Sequence, residues 1–378
     1  MRLSDHDYAE IDGRLAAHDA FLRARYPGDR AGRQPIHTVY IPADKLSSYP
    51  DWGSQALEAM DEHDFPWPDP TIRTKLELEP VEDLRVDFED GYGVRDDDQE
   101  DEAVRTAAEL LSKGPRPPFL GIRIKSLEAV TRRRALRTLD LFLDSYQDLF
   151  TITLPKVSGT DQVAAMVTLL EKIEALYGLS AGALTFEIQV ELPSAVLAAD
   201  GSATVARLLT AAGGRCTGLH YGTYDYSAAA GVAAAYQSME HPAADYAKAV
   251  MQAAAAQTGV RLSDGSTNVL PVGSTADVHA AWELHHRLVR RSLERGYYQG
   301  WDLHPAQLPS RYAATYEFFR DGRDVAADRL NRYLHRQDSG IADEPATARA
   351  LAGYLLRGLD CGALDNAGFP REDLMALI

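Results

Sequence analysis

The chain has 378 residues, of which 45% are hydrophobic and 25% charged, and its formal net charge at pH 7 is -17. This is the composition of an ordinary globular protein, long enough for one large barrel or two medium domains, and it argues against extensive disorder. The acidic balance excludes a phosphate-backbone binder and hence a nucleic acid partner: the short Arg132-Arg133-Arg134 run, read as a solvated helix face, makes no compensating basic stripe.

Residues 1–34 read as a polar helical leader in which Leu15, Phe21 and Leu22 recur at helical spacing before Pro27-Gly28 and Gly32 break it; a lid or packing arm is expected. The first residues lack the apolar core of a signal peptide, and no stretch approaches the roughly 18 apolar residues of a membrane span. Cys216 and Cys361 lie far apart and match no metal spacing. A reducing cytoplasm is the expected compartment.

From residue 35 the pattern alternates between strand and helix. Strands are expected at 37–42, 84–90, 119–124, 150–154, 184–192, 216–221, 259–262 and 300–303. Helices are expected at 100–112, 127–145, 160–177 and 202–212, with one long Ala-rich helical insertion over 228–257. The acidic run Asp96-Asp97-Asp98 reads as the solvated start of a helix, favoured by the helix dipole, rather than as a metal site. Such alternation implies a parallel sheet with helical crossovers, and eight strands make a (β/α)8 TIM barrel over 35–310. Residues 311–378 form a helical C-terminal extension whose apolar face, Tyr316, Phe318, Phe319, Leu330 and Tyr333, needs burial against the barrel or a neighbouring subunit.

The stretch 186–195 carries the chemistry. Its alternation puts Glu187, Gln189 and Glu191 on one face and Phe186, Ile188, Val190 and Leu192 on the other. Buried carboxylates need positive partners. Glu187, deeper in the strand, is expected to pair with Arg or Lys in the core, and Glu191, at the C-terminal end, to hold a metal. The ends of the other strands offer Glu89 and Asp90, Arg123 and Lys125, Lys156, Asp225 and His304, which converge on one mouth in a barrel. Carboxylates on consecutive strands without His or Cys suit a hard cation completed by water and substrate oxygens, hence Mg2+, while Arg123 can grip a carboxylate bidentately.

Seven short motifs stand in an order that resembles the HpcH/HpaI aldolase/citrate lyase superfamily, the citrate lyase beta-subunit-like branch of the phosphoenolpyruvate/pyruvate TIM barrels. They are Tyr40-Ile41-Pro42-Ala43, Val86-Asp87-Phe88-Glu89-Asp90, Gly121-Ile122-Arg123-Ile124, Leu154-Pro155-Lys156-Val157, Val190-Glu191, Gly222-Thr223-Tyr224-Asp225 and His304-Pro305-Ala306-Gln307-Leu308, spanning about residues 36–312. The resemblance implies a trimeric or hexameric homo-oligomer that uses Mg2+ to make or break a carbon–carbon bond beside a keto acid, often as a CoA thioester. It implies Glu191 and Asp225 as Mg2+ ligands, and Arg123, Glu89, Asp90, Lys156 and His304 as catalytic residues. Arg123, Pro42, Gly222 and Thr223 would bind substrate. Where class II aldolases of the family carry Glu-His, this chain has Glu89-Asp90, which favours the lyase-like branch. The expected activity is therefore a carbon–carbon lyase acting on a 2-keto or 3-hydroxy acid or its CoA ester. Enolate condensation or phosphoenolpyruvate chemistry is the alternative within the fold, and a non-catalytic binding barrel the alternative outside enzymology.

Overall fold

Alternating strands and helices give the chain its architecture in the computed structural model, which describes residues 3–30, 32–146, 148–335 and 344–378. Residues 1, 2, 31, 147 and 336–343, in the expected leader, barrel and extension, lie outside the described residues. A lone helix α1 (Asp5–Arg25) precedes β1 (His37–Pro42), α2 (Trp52–Glu62) and α3 (Pro70–Leu78). There follow β2 (Asp83–Asp87), α4 (Asp97–Lys113), β3 (Phe119–Arg123), α5 (Arg132–Ser145), β4 (Thr151–Leu154) and α6 (Thr160–Tyr177). The second half runs β5 (Thr185–Val190), α7 (Pro193–Val196), α8 (Thr204–Ala211), β6 (Cys216–Tyr221), α9 (Thr223–Ala229), α10 (Pro242–Ala255), β7 (Arg261–Ser263), α11 (Thr275–Glu294) and β8 (Gly300–Asp302). Helices α12 (Leu308–Leu334), α13 (Pro345–Asp360) and α14 (Arg371–Met375) complete it.

All eight strands are parallel and lie in the order β7-β6-β5-β4-β3-β2-β1-β8. The Ser263–Gln299 bridge and the Asp264 N–H to Gln299 carbonyl bond, 2.8 Å, join the outer two. The chain is a (β/α)8 barrel, as the strand count predicts. Alternate strand residues face outward and are fully buried under the helices: Phe186, Ile188 and Val190 on β5, and Ile152 and Leu154 on β4. They meet helix faces whose apolar residues recur every three or four positions, such as Val163, Met166, Leu170 and Ile173 of α6.

The charged residues that face inward are paired. Arg85 donates from Nη2 to Glu187 Oε2 at 2.8 Å and also pairs with Asp83. Trp301 Nε1–H donates to His220 Nδ1 at 3.0 Å, which leaves the His220 Nε2 proton for Glu187, 3.0 Å away. Burial opposes the charge on Glu187, yet Arg85 and His220 hold its carboxyl well below the usual carboxylate range. Glu187 is thus a core ion-pair residue, the role that its depth in the strand predicts.

Three expectations change. The insertion at 228–257 is not continuous: α9 ends at Ala229, a short 3-10 turn follows at Ala234–Tyr236, and only α10 is a long helix, opened by Pro242 and capped by the His241 ring, which accepts from Ala243 N–H. The arginine run is a solvated face at Arg132 and Arg133, which are exposed, but the largely buried Arg134 reaches Asp101 at 2.7 Å and Glu100 at 3.3 Å across the α4–α5 interface. Helix α1 of the leader has no buried residue, and the leader meets its own chain after it, where Gly28 N–H donates to the Gln257 carbonyl and Arg33 pairs with Glu82. The apolar face of the extension does find its target within the chain, where Phe319 and Tyr316 of α12 are buried beside Tyr354 of α13 and the Cys361 carbonyl. Among the described residues, no helix is long and apolar enough to cross a membrane.

One carboxylate fastens the crossover into β5. Glu174, in the last turn of α6, accepts from Arg215 Nη1 and Nη2 at 2.6 and 2.8 Å and from the N–H groups of Gly182 and Leu184 at 3.0 and 2.9 Å. Its bonds with Arg215 draw it from the ordinary 4.5 to about 2. Because the folded value lies below the unfolded one, this stabilisation is complete above the unfolded value and is lost as pH falls towards the folded one. Glu174→Gln is expected to lower the unfolding free energy by on the order of 2 kcal/mol at neutral pH, and the deficit should vanish at about pH 2. Chemical denaturation at the two pH values checks this.

Candidate metal and oxyacid site

The site begins with Asp87, the last residue of β2. Its Oδ1 accepts from Arg123 Nε at 2.7 Å and from Glu89 N–H at 2.9 Å, while Oδ2 accepts from Arg123 Nη2 at 2.7 Å and from Gly91 N–H at 2.8 Å. The carboxylate therefore holds a guanidinium on one side and ties down the turn that carries Glu89 and Asp90 on the other. Glycine is needed at 91, since a Cβ there would lie 2.6 Å from Asp87 Oδ2 and 3.2 Å from the Pro42 ring.

Arg123, at the end of β3, is only 5% exposed. Beyond Asp87 it meets Gln189 Oε1 at 3.3 Å and Glu89 Oε2 at 3.5 Å, and its carbon centre lies 4.8 Å from the centroid of the Tyr40 ring. The planar fork is thus clamped in one orientation, with its Nε/Nη2 edge taken bidentately by the Asp87 carboxylate. Gln189 turns its amide the other way, donating from Nε2 to Glu191 Oε2. A continuous chain of hydrogen bonds runs from Asp87 through Arg123 and Gln189 to Glu191.

Glu191 follows β5 and is 1% exposed. Its Oε1 accepts the main-chain N–H of Lys156 at 2.6 Å, a contact made possible by a left-handed backbone at Lys156, φ +52°. A non-glycine residue in that region carries a conformational cost, and such costs gather at functional sites. Gly222 lies against the other side; a Cβ there would come within 2.5 Å of Glu191 Cβ. The Lys156 ammonium sits among the carboxylates, 2.8 Å from Asp90 Oδ2, 3.4 Å from Glu191 Oε2 and 3.8 Å from Glu89 Oε1, and pairs with Asp225 Oδ2 in the first turn of α9.

Five carboxyl groups, Asp87, Glu89, Asp90, Glu191 and Asp225, face two cations, Arg123 and Lys156. The shortage of positive charge is felt where water is excluded. Burial pushes Glu191 up to about 8, with the hydrogen bond to Asp225 adding to the rise and Lys156 opposing it. Burial likewise pushes Glu89 up to about 7 against the pull of Arg123. Asp225 is only half-buried: desolvation raises it, but Lys156, the hydrogen bond to Glu191 and Arg123 together bring it below the ordinary range. Ligand oxygens of Asp90, Glu191 and Asp225 all lie within 4.8 Å of one another. Three hard oxygen donors with an excess of negative charge fit a divalent cation such as Mg2+.

The structure brings together Glu89, Asp90, Arg123, Lys156, Glu191 and Asp225, and it sets Gly222 against Glu191 and Pro42 against the 88–91 turn. Thr223, the first residue of α9, is buried against Gly265. Two expected members stand apart. His304 Nδ1 accepts from Ala306 N–H at 3.2 Å and caps the 3-10 turn after β8; no hydrogen bond or ion pair joins it to the cluster. Lys125 donates to the Phe88 carbonyl at 2.6 Å and pairs with Glu100 at 3.1 Å, bracing α4. Sequence reasoning gave no role to Asp87, Gln189 or Tyr40. The period-two alternation that marks Glu187 and Glu191 also puts Gln189 and Asp87 inside, and it was the available signal.

A family model described as "Domain of unknown function (DUF6986)" matches residues 15–374. No curated protein matches the sequence. Among solved structures, the chain is similar to the Mycobacterium tuberculosis protein CitE in complex with magnesium, acetoacetate and coenzyme A: 16% identity, TM-score 0.56, covering 88% of this chain and 99% of that one. It is also similar to Haloferax volcanii malate synthase in its magnesium/glyoxylate complex: 12% identity, TM-score 0.52, covering 81% and 95%. The pyruvate/acetyl-CoA ternary complex of the same synthase gives 14% identity and a TM-score of 0.53, covering 88% and 93%. At these identities the likeness establishes the fold.

If Asp87 is the group that holds Arg123, removing it leaves a buried guanidinium without its main partner. Asp87→Ala is expected to cost roughly 3–5 kcal/mol, whereas Asp90→Asn, at the exposed rim, should cost under about 1 kcal/mol. Urea denaturation of the two variants gives the ranking, and the reverse order would show that Arg123 is held by something else.

Proposed function

We propose that this chain, which belongs to the DUF6986 family, is a Mg2+-dependent enzyme that breaks a carbon–carbon bond in a 2-keto or 3-hydroxy acid, free or as its CoA ester. The observation that carries this reading is the convergence of Asp90, Glu191 and Asp225 within 4.8 Å, linked through Gln189 to a clamped Arg123. Asp90, Glu191 and Asp225 would hold the ion, which when bound supplies the Lewis-acid charge that a keto oxygen needs as electrons move onto it. The two solved likenesses, crystallised with magnesium and small oxo acids, support the same chemistry without deciding its direction.

The chain's own side chains do the rest. Arg123 receives the substrate carboxylate, and its orientation is set beforehand by Asp87, Gln189 and the Tyr40 ring, so little ordering remains when substrate arrives. Glu89, 3.5 Å from Arg123 Nη1 and 3.8 Å from Lys156 Nζ, gives or takes the proton at its Oε atoms. Lys156 places positive charge beside developing negative charge. Pro42, Gly222 and Thr223 shape the walls, and the 35–310 barrel is the catalytic unit. His304 serves by fixing the turn after β8. The likeness to a malate synthase keeps open the reverse sense, in which an enolate condenses with an oxo acid, and product analysis with glyoxylate, pyruvate and oxaloacetate separates the two.

Glu191→Gln is expected to keep the fold and to abolish both Mg2+-dependent turnover and the Mg2+-dependent rise in melting temperature with these oxo acids; full turnover in this variant would refute the assignment. Gly222→Ala, which crowds Glu191 without touching its charge, should weaken Mg2+ binding by roughly tenfold in isothermal titration.

A further inference from the structure

We propose that α1 is a docking helix for a second copy of this chain and pairs antiparallel with the same helix of that copy. The helix runs for 21 residues from a complete capping box, Ser4 with Asp7, and none of its residues is buried. The chain at its C-terminal end is fastened to the barrel: Arg25 Nη2 donates to the Ala206 carbonyl at 3.3 Å, and Gly28 N–H donates to the Gln257 carbonyl at 3.0 Å. A helix about 30 Å long, with Gly13 in its middle and no buried residue, is marginal in water.

Its side chains say what would cover it. Ile11, Leu15 and Leu22 are 55%, 47% and 39% exposed. With Tyr8 and His18 they occupy positions 8, 11, 15, 18 and 22, the alternating three-and-four spacing of a two-stranded seam. Charge then selects the direction. Before Gly13 stand Asp5, Asp7, Glu10 and Asp12; after it stand Arg14, Arg23 and Arg25, with only Asp19 opposing. Two parallel copies would align carboxylates with carboxylates. An antiparallel pair related by a twofold axis through Leu15 sets Leu15 on itself and Tyr8 opposite Leu22, and lays the acidic half of each helix along the basic half of the other. Such a contact is self-complementary and closes. The same acidic half makes an anionic lipid surface a poor occupant.

The test uses the full chain in sedimentation equilibrium. Ile11→Asp with Leu15→Asp should halve the wild-type mass while leaving the circular dichroism of the barrel unchanged; a wild-type mass for this variant, or a monomeric wild type, overturns the proposal. Orientation is read by disulfide formation. Leu15→Cys should give a cross-linked dimer and Leu22→Cys should not, since antiparallel pairing sets Leu22 against Tyr8. Cross-linking of Leu22→Cys alone would refute the antiparallel direction. A protein that stays monomeric but binds phosphatidylserine vesicles through α1 would assign the face to lipid instead.

Discussion

The site depends on how Asp87 spends its two oxygens. Each accepts one bond from the Arg123 guanidinium and one from the turn that follows β2. One side chain therefore fixes the cationic floor of the site and the acidic rim at once, and neither can shift without the other. The Arg123–Gln189–Glu191 link carries that constraint across the mouth to the far wall.

Below this level the barrel interior is a stack of paired charges rather than a hydrocarbon core. Asp83, Arg85, Glu187, His220 and Trp301 satisfy one another. Pairing buried charges seldom adds net stability, but breaking such a pair is costly. Its effect is to hold the inner face of the strands in register, so that residues two and four positions further along, Asp87, Gln189 and Glu191, reach the mouth already aligned. The rim above is left short of cations. This imbalance, more than any single residue, marks it as a place for an ion.

Much of this was legible in the sequence. Apolar runs separated by helical spacing gave eight strands and the barrel, because outward strand faces and inward helix faces are set by local period. Depth along one strand marked Glu187 as a core partner, and Arg85 and His220 meet it there. What local pattern does not carry is pairing across strands. Arg123 and Asp87 are 36 positions apart in sequence, and nothing near either says that they meet. The same gap explains Lys125, drawn to Glu100 of α4, and His304, whose ring is occupied by a capping bond to Ala306. The Ala-rich stretch reads as continuous helix because helix propensity is high throughout, and only Gly231, at φ +77°, and Pro242 bound the break.

The left-handed backbone of Lys156 has a consequence of its own. Glu191 Oε1 is gripped by the main chain at 156, whereas the charge among the carboxylates comes from the side chain of the same residue. Seat and charge are therefore separable at one position. A glycine there would remove the ammonium, ease the dihedral and keep the N–H aimed at Glu191, whereas a proline would lose the donor together with the turn. The acidic pocket could thus change its electrostatic character by altering one side chain, with its framework intact.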